Sequence, residues 1–205
     1  MGRNYHAHIA ELNNKAPPEP MWFDKPMSSL LLPGESLKWL PQYKDIHHEI
    51  ELGVVIGKGG KDISEEESMD HVESYFLGVD FTNRGLQDDL KAAGADWGCL
   101  AKGADTFGAI SDFVDKNKIE KWDDLELELA VNGDVKQSAN TKLMIFGLPR
   151  LISDASRYMR LNPGDLIYTG TPAGVGPVRE GDVLTGLVRK PGSQENLAEL
   201  EVKVE

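Results

Sequence analysis

An acidic pair, Glu49 and Glu51, interrupts an apolar stretch that runs from Ile46 to Gly57. The apolar and β-branched residues predict a buried strand, whose side chains alternate between two faces with a period of two. Both carboxylates therefore point to one face, about 7 Å apart along the strand. Two buried negative charges are costly unless a cation compensates them. The pattern thus indicates either a cation site or, as is usual for such a pattern, a solvated strand face.

A third carboxylate favours the cation site. Asp80 ends a second apolar run, Tyr75 to Asp80, which predicts another short buried strand. Hard divalent cations prefer oxygen ligands in proteins. Glu49, Glu51 and Asp80 are therefore the candidate ligands of one divalent cation.

Charge and composition exclude several classes of partner. The chain has 205 residues, with 34 acidic and 22 basic side chains and a formal net charge of -12. An acidic surface disfavours nucleic acid and anionic membranes, although a metal and a few basic residues still allow a small anionic substrate. No apolar stretch approaches the length of about 18 residues that a membrane span needs. The glycine-rich segment 169–176 lacks the lysine of a phosphate-binding P-loop.

The single cysteine excludes an intrachain disulfide. For Cys99 we expect a small core residue in preference to a nucleophilic thiol. No targeting segment is visible at the start of the sequence, and the abrupt beginning is compatible with a missing N-terminal strand or transit peptide.

Helices are few and strands are many, which indicates an α+β fold with a dominant sheet. Asn132-Gly133 predicts a type I′ hairpin after a strictly alternating strand, Leu125 to Val131. Ser64 and Glu67 form a capping box, which predicts a helix from there to about Glu73. Further helices are predicted at 6–13, 84–93 and 149–160, further strands at 165–169, 182–189 and 198–204, and a proline-rich loop at 15–20.

Four separated motifs occur in a fixed order along the chain: GRNYHAH at 2–8, HHEIELGVVIG at 47–57, TNRGLQ at 82–87 after Asp80, and YTGTPAGVG at 168–176. This ordered set resembles the fumarylacetoacetate hydrolase family, and most closely its small single-domain branch, the acylpyruvases that also act on oxaloacetate. The resemblance extends over nearly the whole chain, from Gly2 to about Val204.

The resemblance implies a fold, an assembly and a cofactor. The fold is a mixed β-roll of folded sheets with a few short peripheral helices, in which residues 1–205 form one catalytic domain. A lid segment covers about residues 6–20, and the protein is a homodimer. The cofactor is Mg²⁺ or Mn²⁺, bound by Glu49, Glu51 and Asp80.

The resemblance also implies roles for individual side chains. Lys102, in LAKGAD, stabilises an enolate, while His8 and Glu11 form a dyad that activates water. His6, beside this dyad, is interpreted as a bystander. The implied substrate-binding residues are Arg84, Gln87, Thr171 and Lys25, although a simple loop role for Lys25 is equally compatible with the sequence.

The implied substrate is a small 2-oxo acid, which reacts through an enolate bound to the metal. The implied reactions are acylpyruvate hydrolysis, oxaloacetate decarboxylation and keto–enol tautomerisation, and the sequence does not choose among them. We expect a mitochondrial matrix or cytoplasmic location. The alternative is a non-catalytic structural subunit that retains the fold within a larger assembly.

Overall fold

A computed structural model describes residues 1–205 as three β-sheets with four α-helices around them. The helices are α1 (His6–Glu11), α2 (Arg84–Ala92), α3 (Gly98–Lys102) and α4 (Leu148–Tyr158). The strands are β1 (Leu30–Leu31), β2 (Ser36–Leu37), β3 (Ile46–His48), β4 (Ile50–Ile56), β5 (Val72–Asp80), β6 (Thr82–Asn83), β7 (Gly108–Ile110), β8 (Val114–Asp115), β9 (Glu126–Val131), β10 (Asp134–Asn140), β11 (Leu166–Tyr168), β12 (Gly176–Pro177), β13 (Val183–Arg189) and β14 (Asn196–Val204).

The sheets are mixed. One has the order β1-β7-β5-β4-β11, with β8 also paired to β5. A second has the order β10-β9-β13-β14-β2, and a third, small sheet has the order β12-β3-β6. All pairs are antiparallel except β1 with β7 and β14 with β2. The fold class predicted from the sequence, α+β with a dominant set of folded sheets, is confirmed.

The two larger sheets pack face to face over one hydrophobic cluster of 32 buried residues. The strictly alternating strand β9 contributes Leu127, Leu129 and Val131 to this cluster, as its period of two predicts. Gly186 of β13 lies at a close approach of the two sheets, since a Cβ there would be 3.0 Å from the side chain of Ile50. Burial of apolar surface between the sheets is the main stabilising contribution to the fold.

Two chain segments leave the larger sheet at the same place. Glu49 separates β3, in the small sheet, from β4, in the six-stranded sheet. Phe81 separates β5 from β6 in the same way, and β6 pairs with β3. The predicted continuous strand 46–57 is thus two strands in two sheets, with Glu49 at the junction.

A hairpin and a bulge shape the strand β10. Asn132 and Gly133 have φ angles of 53° and 84°, which confirms the predicted I′-type turn. The register of β10 against β9 then shifts between Val135 and Gln137, which leaves Lys136 without a partner. Such a bulge re-aims the side chains that follow it. Here it turns Gln137 into the interior, where it is fully buried.

The helix predicted from Ser64 to about Glu73 is wrong. Only half of the capping box forms: the Glu67 amide donates to the Ser64 hydroxyl at 3.3 Å, but the Glu67 carboxylate accepts from that hydroxyl and not from the Ser64 amide. The chain continues as turns and a short 3₁₀-helix, and β5 begins at Val72, which pairs with Ile56. Pairing with a buried strand therefore overrides the local helix signal.

Cys99 is exposed, so the expectation of a core cysteine is also wrong. The short helix α3 buries Gly98, Ala101 and Lys102 at helical spacing, and this orientation turns Cys99 outward. None of the helices combines the length and the apolar character that crossing a membrane requires.

Candidate active site and metal centre

Three buried carboxylates meet where β4 and β5 leave the six-stranded sheet. Glu49, Glu51 and Asp80 are at most 5 % exposed, and their ligand oxygens lie within 4.8 Å of one another. The two glutamates converge on one side, as the sequence predicted. Asp80 joins them because its amide donates to the Glu49 carbonyl at 2.8 Å, next to the β4–β5 ladder.

Three cationic side chains surround these carboxylates. Lys102 Nζ lies 2.7 Å from Glu49 Oε2 and 2.6 Å from Asp80 Oδ2. Lys25 Nζ lies 2.7 Å from Asp80 Oδ1, and Arg84 donates to Glu49 Oε1. Such charge-assisted hydrogen bonds compensate buried charges that would otherwise be strongly destabilising. The sequence left the role of Lys25 undecided, and the structure places its ammonium group in contact with a carboxylate of the cluster.

The surroundings shift the pKa values of the two glutamates in opposite directions. Burial raises the pKa of the Glu49 carboxyl, but the positive charges of Lys102 and Arg84 outweigh burial and hold that pKa below its ordinary value. Burial raises the pKa of Glu51 to about 8, and the negative charges of Asp80 and Glu49 add to this increase. Burial lowers the pKa of Lys102, but Asp80 and Glu49 more than offset it, so that this pKa is raised. Lys102 is therefore a cation, and Glu51 holds a proton near neutral pH.

The carboxylate cluster fits a divalent cation. Glu51 Oε1 is buried and has no hydrogen-bond partner, which leaves a polar atom unsatisfied next to two further carboxylates. Three carboxylate oxygens are the donor set that Mg²⁺ and Mn²⁺ prefer. Glu49, Glu51 and Asp80 could therefore hold one such ion.

Metal binding should displace a proton from this cluster. A carboxyl with a pKa of about 8 is about nine-tenths protonated at pH 7, and only its ionised form is a good ligand. We therefore expect binding of Mg²⁺ or Mn²⁺ to release about one proton at pH 7 and much less at pH 9. Metal affinity should rise with pH up to about 8 and then level off. Calorimetry in two buffers of different ionisation enthalpy measures the release.

Glu51→Gln is the control for the proton-release experiment. It removes the titrating carboxyl, and it should weaken metal binding and abolish the pH-dependent proton release. Equal proton release by the native protein at pH 7 and pH 9 would contradict the raised pKa of Glu51.

His8 and Glu11 form the pair that the resemblance implied. His8 Nδ1 lies 3.2 Å from Glu11 Oε2, on one side of α1, and His8 is 5 % exposed. The other carboxylate oxygen, Glu11 Oε1, accepts a hydrogen bond of 3.0 Å from the Gly174 amide. The glutamate thus orients the imidazole and ties α1 to the glycine-rich loop, 169–176. His8 can exchange a proton with a molecule in the cavity below it.

The glycine-rich loop contacts the carboxylate cluster through its backbone. The Gly170 amide donates to Glu51 Oε2. The Thr171 hydroxyl donates to the Ile50 carbonyl at 2.8 Å, so its only hydrogen is already in use. The Thr171 amide forms no hydrogen bond within the protein. At Thr171, therefore, the backbone N–H is the group free to bind an anion.

A residue that the sequence did not single out connects this loop to β4, the strand that carries Glu51. The buried Gln137 amide accepts from the Ile50 amide (2.9 Å) and His48 Nδ1 (3.1 Å). It donates to the Thr171 hydroxyl (2.8 Å) and the Pro172 carbonyl (3.0 Å). All four hydrogen-bonding positions of the side-chain amide are used. No local pattern could reveal this, because the bulge that buries Gln137 lies within a polar, mostly exposed strand.

Gln137→Leu should be strongly destabilising. The variant leaves several buried donors and acceptors unpaired, and each costs about 1–3 kcal/mol, so we expect the free energy of unfolding to fall by about 3 kcal/mol or more. Urea denaturation measures the loss. Gln42→Leu is the matched control, because Gln42 lies in an exposed turn and its replacement should change stability by less than about 0.5 kcal/mol. A similar small change for both variants would contradict the role of Gln137.

A cavity of about 50 Å³ lies beside Lys102 and the carboxylate cluster. Its walls include His8, Glu49, Arg84 and Thr171. Helix α2 positions Arg84 at its first residue, after Asn83 caps the helix by accepting from the Leu86 amide. The predicted site residues at this cavity are His8, Glu49, Arg84, Gln87, Lys102 and Thr171.

A wider groove, of about 310 Å³, lies elsewhere and includes none of these residues. Five of its eleven lining residues are acidic, among them Glu35, Asp112, Glu199 and Glu201, and only Lys203 is basic. Its negative charge makes it unsuitable for an anionic substrate. The smaller cavity, which is lined by four cationic side chains and by Glu49 of the carboxylate cluster, is the candidate active site.

Nearly the whole chain matches one protein family. The family model "Fumarylacetoacetate (FAA) hydrolase C-terminal" matches residues 1–204. The chain belongs to the fumarylacetoacetate hydrolase family. The match includes the carboxylate cluster, Lys102 and the glycine-rich loop, and it confirms the resemblance found in the sequence.

Several members of the fumarylacetoacetate hydrolase family resemble this chain over most of their length. The mitochondrial oxaloacetate decarboxylase of Dictyostelium discoideum is 49% identical over 185 residues, which cover 90% of this chain and 84% of that protein. The mitochondrial oxaloacetate tautomerase FAHD1 of Arabidopsis thaliana is 45% identical over 185 residues, with 90% and 82% covered. The chain is an enzyme of this family.

A solved structure of the fumarylacetoacetate hydrolase family shares the fold closely. The fumarylpyruvate hydrolase of Pseudomonas aeruginosa, in complex with Mn²⁺ and pyruvate, superimposes with a TM-score of 0.89 at 34% sequence identity. The match covers 99% of this chain and 86% of that one. A divalent cation at the carboxylate cluster agrees with this likeness.

Proposed function

We propose that the protein is a divalent-metal-dependent enzyme that acts on small 2-oxo acids, with oxaloacetate among its substrates. The observation that carries this proposal is the position of Lys102, which bridges Glu49 and Asp80 at 2.7 and 2.6 Å beside the cavity. A permanent cation and three clustered carboxylates together suit the stabilisation of an enolate. The names of the relatives, which include oxaloacetate and fumarylpyruvate, support the same substrate class.

The proposed chemistry requires positive charge close to the C2 oxygen of the substrate. Mg²⁺ or Mn²⁺, held by Glu49, Glu51 and Asp80, supplies Lewis-acid charge next to a bound 2-oxo acid. Lys102 places its ammonium group at the same position and stabilises the negative charge that develops on the C2 oxygen. The raised pKa of Lys102 keeps this group protonated throughout.

Other side chains position the substrate. The Thr171 amide, which has no partner in the protein, binds the carboxylate at C1. Arg84 and Gln87, joined by a hydrogen bond of 2.7 Å, flank the distal part of the substrate. Lys25 compensates Asp80 and thereby holds this carboxylate in place. Rigid placement of these groups lowers the entropic cost of reaching the transition state.

Three reactions share one enolate. In oxaloacetate decarboxylation the C3–C4 bond breaks, CO₂ leaves, and the electron pair passes to the enolate. In tautomerisation a proton moves between C3 and the C2 oxygen. In acylpyruvate hydrolysis water adds to the C4 carbonyl before the C3–C4 bond breaks. Only the third reaction needs an activated water, and the dyad of His8 and Glu11 suits that task because Glu11 orients the imidazole that accepts the proton.

The alternative of a non-catalytic structural subunit lacks support. Such a subunit should have lost a metal ligand, the lysine or the dyad. The chain retains all of these residues. The three carboxylates, Lys102 and His8 are buried, and the exposed Glu11 lies 3.2 Å from His8.

The roles of His8 and Lys102 can be separated by two substrates. His8→Ala should lower acetylpyruvate hydrolysis by about 10²- to 10⁴-fold, the usual effect of losing a general base. Oxaloacetate decarboxylation should fall much less, because it uses no attacking water. Lys102→Met should impair both reactions to a similar extent. The measurement is kcat/KM for both substrates with added Mg²⁺ or Mn²⁺, and deuterium exchange at C3 reports the tautomerisation.

His6→Ala is the matched control, since His6 is an exposed histidine on the same helix. It should leave both reactions unchanged. Because Lys102→Met leaves buried carboxylates unpaired, its fold is checked by circular dichroism. Equal losses for both substrates in His8→Ala, together with unimpaired turnover in a folded Lys102→Met, would refute the assigned roles.

The proposal also includes a lid, a single catalytic domain, a homodimeric assembly and a cellular compartment. Residues 6–20 form the lid, and the contact of Glu11 with the Gly174 amide holds it over the glycine-rich loop. Residues 1–205 act as one catalytic domain and assemble as a homodimer, which sedimentation analysis would test. The mitochondrial names of the relatives favour mitochondria over the cytoplasm.

A further inference from the structure

Two cations at the active-site cavity have no carboxylate partner. Lys91 and Arg3 line the cavity, yet neither takes part in an ion pair. Lys91 Nζ lies 2.9 Å from Gln87 Oε1 and 5.3 Å from the centre of the Trp97 ring. Arg3 Nη2 donates to Asn14 Oδ1 at 2.9 Å. Both cations are thus held by neutral groups, and their charges are available to a ligand.

Lys91 lies on the far side of Arg84 from the carboxylate cluster. Arg84 binds Glu49 at one end and donates to Gln87 Oε1 at 2.7 Å at the other. The same Gln87 oxygen accepts from Lys91. The buried Gln87 therefore directs the ammonium group of the exposed Lys91 towards the distal end of the cavity. A substrate whose 2-oxo group lies at the cluster would extend towards this lysine.

The charges around Lys91 favour an anion. Partial burial and the nearby charges of Arg84 and Arg3 lower the pKa of Lys91, an effect that Asp88 only partly opposes. Among the cavity-lining residues the only acidic side chain is Glu49, at the opposite end. A cationic region without a counter-ion attracts and orients anions.

We propose that Lys91, assisted by Arg3, binds the second carboxylate of a dicarboxylic 2-oxo acid and makes the enzyme prefer such acids to neutral acylpyruvates. This inference rests on the proposed function and adds a specificity-determining residue to it. Lys91 Nζ and the Arg3 guanidinium donate charge-assisted hydrogen bonds to the distal carboxylate. Acetylpyruvate, which ends in a methyl group, gains nothing from these contacts.

Lys91→Met tests the proposal because it keeps the unbranched side chain and a similar helix propensity but removes the charge. For oxaloacetate tautomerisation, which retains the distal carboxylate throughout, we expect kcat/KM to fall by about 10-fold or more, mainly through a higher KM, as for the loss of one charge-assisted hydrogen bond. For acetylpyruvate the change should be less than about 2-fold, since no charged contact is lost. Lys91→Arg, which retains the charge, should retain most of the preference for oxaloacetate.

Lys116→Met is the matched control, because it removes one positive charge at an exposed residue outside the cavity. It should leave the ratio of the two kcat/KM values unchanged. Equal losses for both substrates in Lys91→Met would indicate a merely structural role and overturn the proposal. An unchanged ratio in Lys91→Met would also overturn it.

A binding experiment separates this inference from the proposed function. L-Malate and L-lactate are unreactive hydroxy acids that differ by one distal carboxylate group, and calorimetry with the Mn²⁺-loaded protein gives both affinities. Lys91→Met should weaken malate binding by about 10-fold and leave lactate binding unchanged, as expected for one charged contact. This result without turnover would preserve the subsite and refute the proposed function. Turnover with unchanged malate binding would preserve the function and refute the subsite.

Discussion

The pairing of β4 with β5 is the interaction on which the rest of the site depends. It sets Glu51 opposite Gly78 and joins the Asp80 amide to the Glu49 carbonyl, so three carboxylates converge inside the protein. A one-residue change in register would turn the side chains of a strand to the opposite face. The buried hydrophobic cluster on the other side of the sheet prevents such a change, because it would expose that cluster. Packing of the core therefore determines the geometry of the acidic site.

The converging carboxylates repel one another, and cationic side chains from the surrounding segments compensate their charges. Lys102 reaches the cluster from α3, Arg84 from α2, and Lys25 from an irregular loop. Each is far from the others in sequence, and each compensates a charge that burial alone would make very costly. Glu51 has no cationic side chain as a partner, and its raised pKa and unsatisfied oxygen are the consequence. The uncompensated carboxyl of Glu51 would destabilise the protein, and it also suits this site to a divalent cation.

Local sequence patterns predict the structure correctly where one local interaction dominates. Period-two alternation identified β9, the Asn132-Gly133 pair identified its hairpin, and the spacing of Glu49 and Glu51 identified two members of the carboxylate cluster. The capping bond from the Glu67 amide to the Ser64 hydroxyl forms, yet no long helix follows, because the backbone pairs as strand β5 from Val72 onwards. Local signals therefore predict contacts between neighbours, whereas competition between helix and sheet is decided by distant partners.

By itself the sequence determined the α+β class, the three clustered carboxylates and the ordered motifs of the fumarylacetoacetate hydrolase family. Only the tertiary structure decided that Gln137 turns inward and that Lys25 compensates Asp80. It also decided that Lys91 stands without a counter-ion at the far end of the cavity. The physical reason is the same for all three residues. A bulge, a buried ion pair and an unpaired charge depend on groups that are distant in sequence, and such long-range contacts have no period or spacing along the chain.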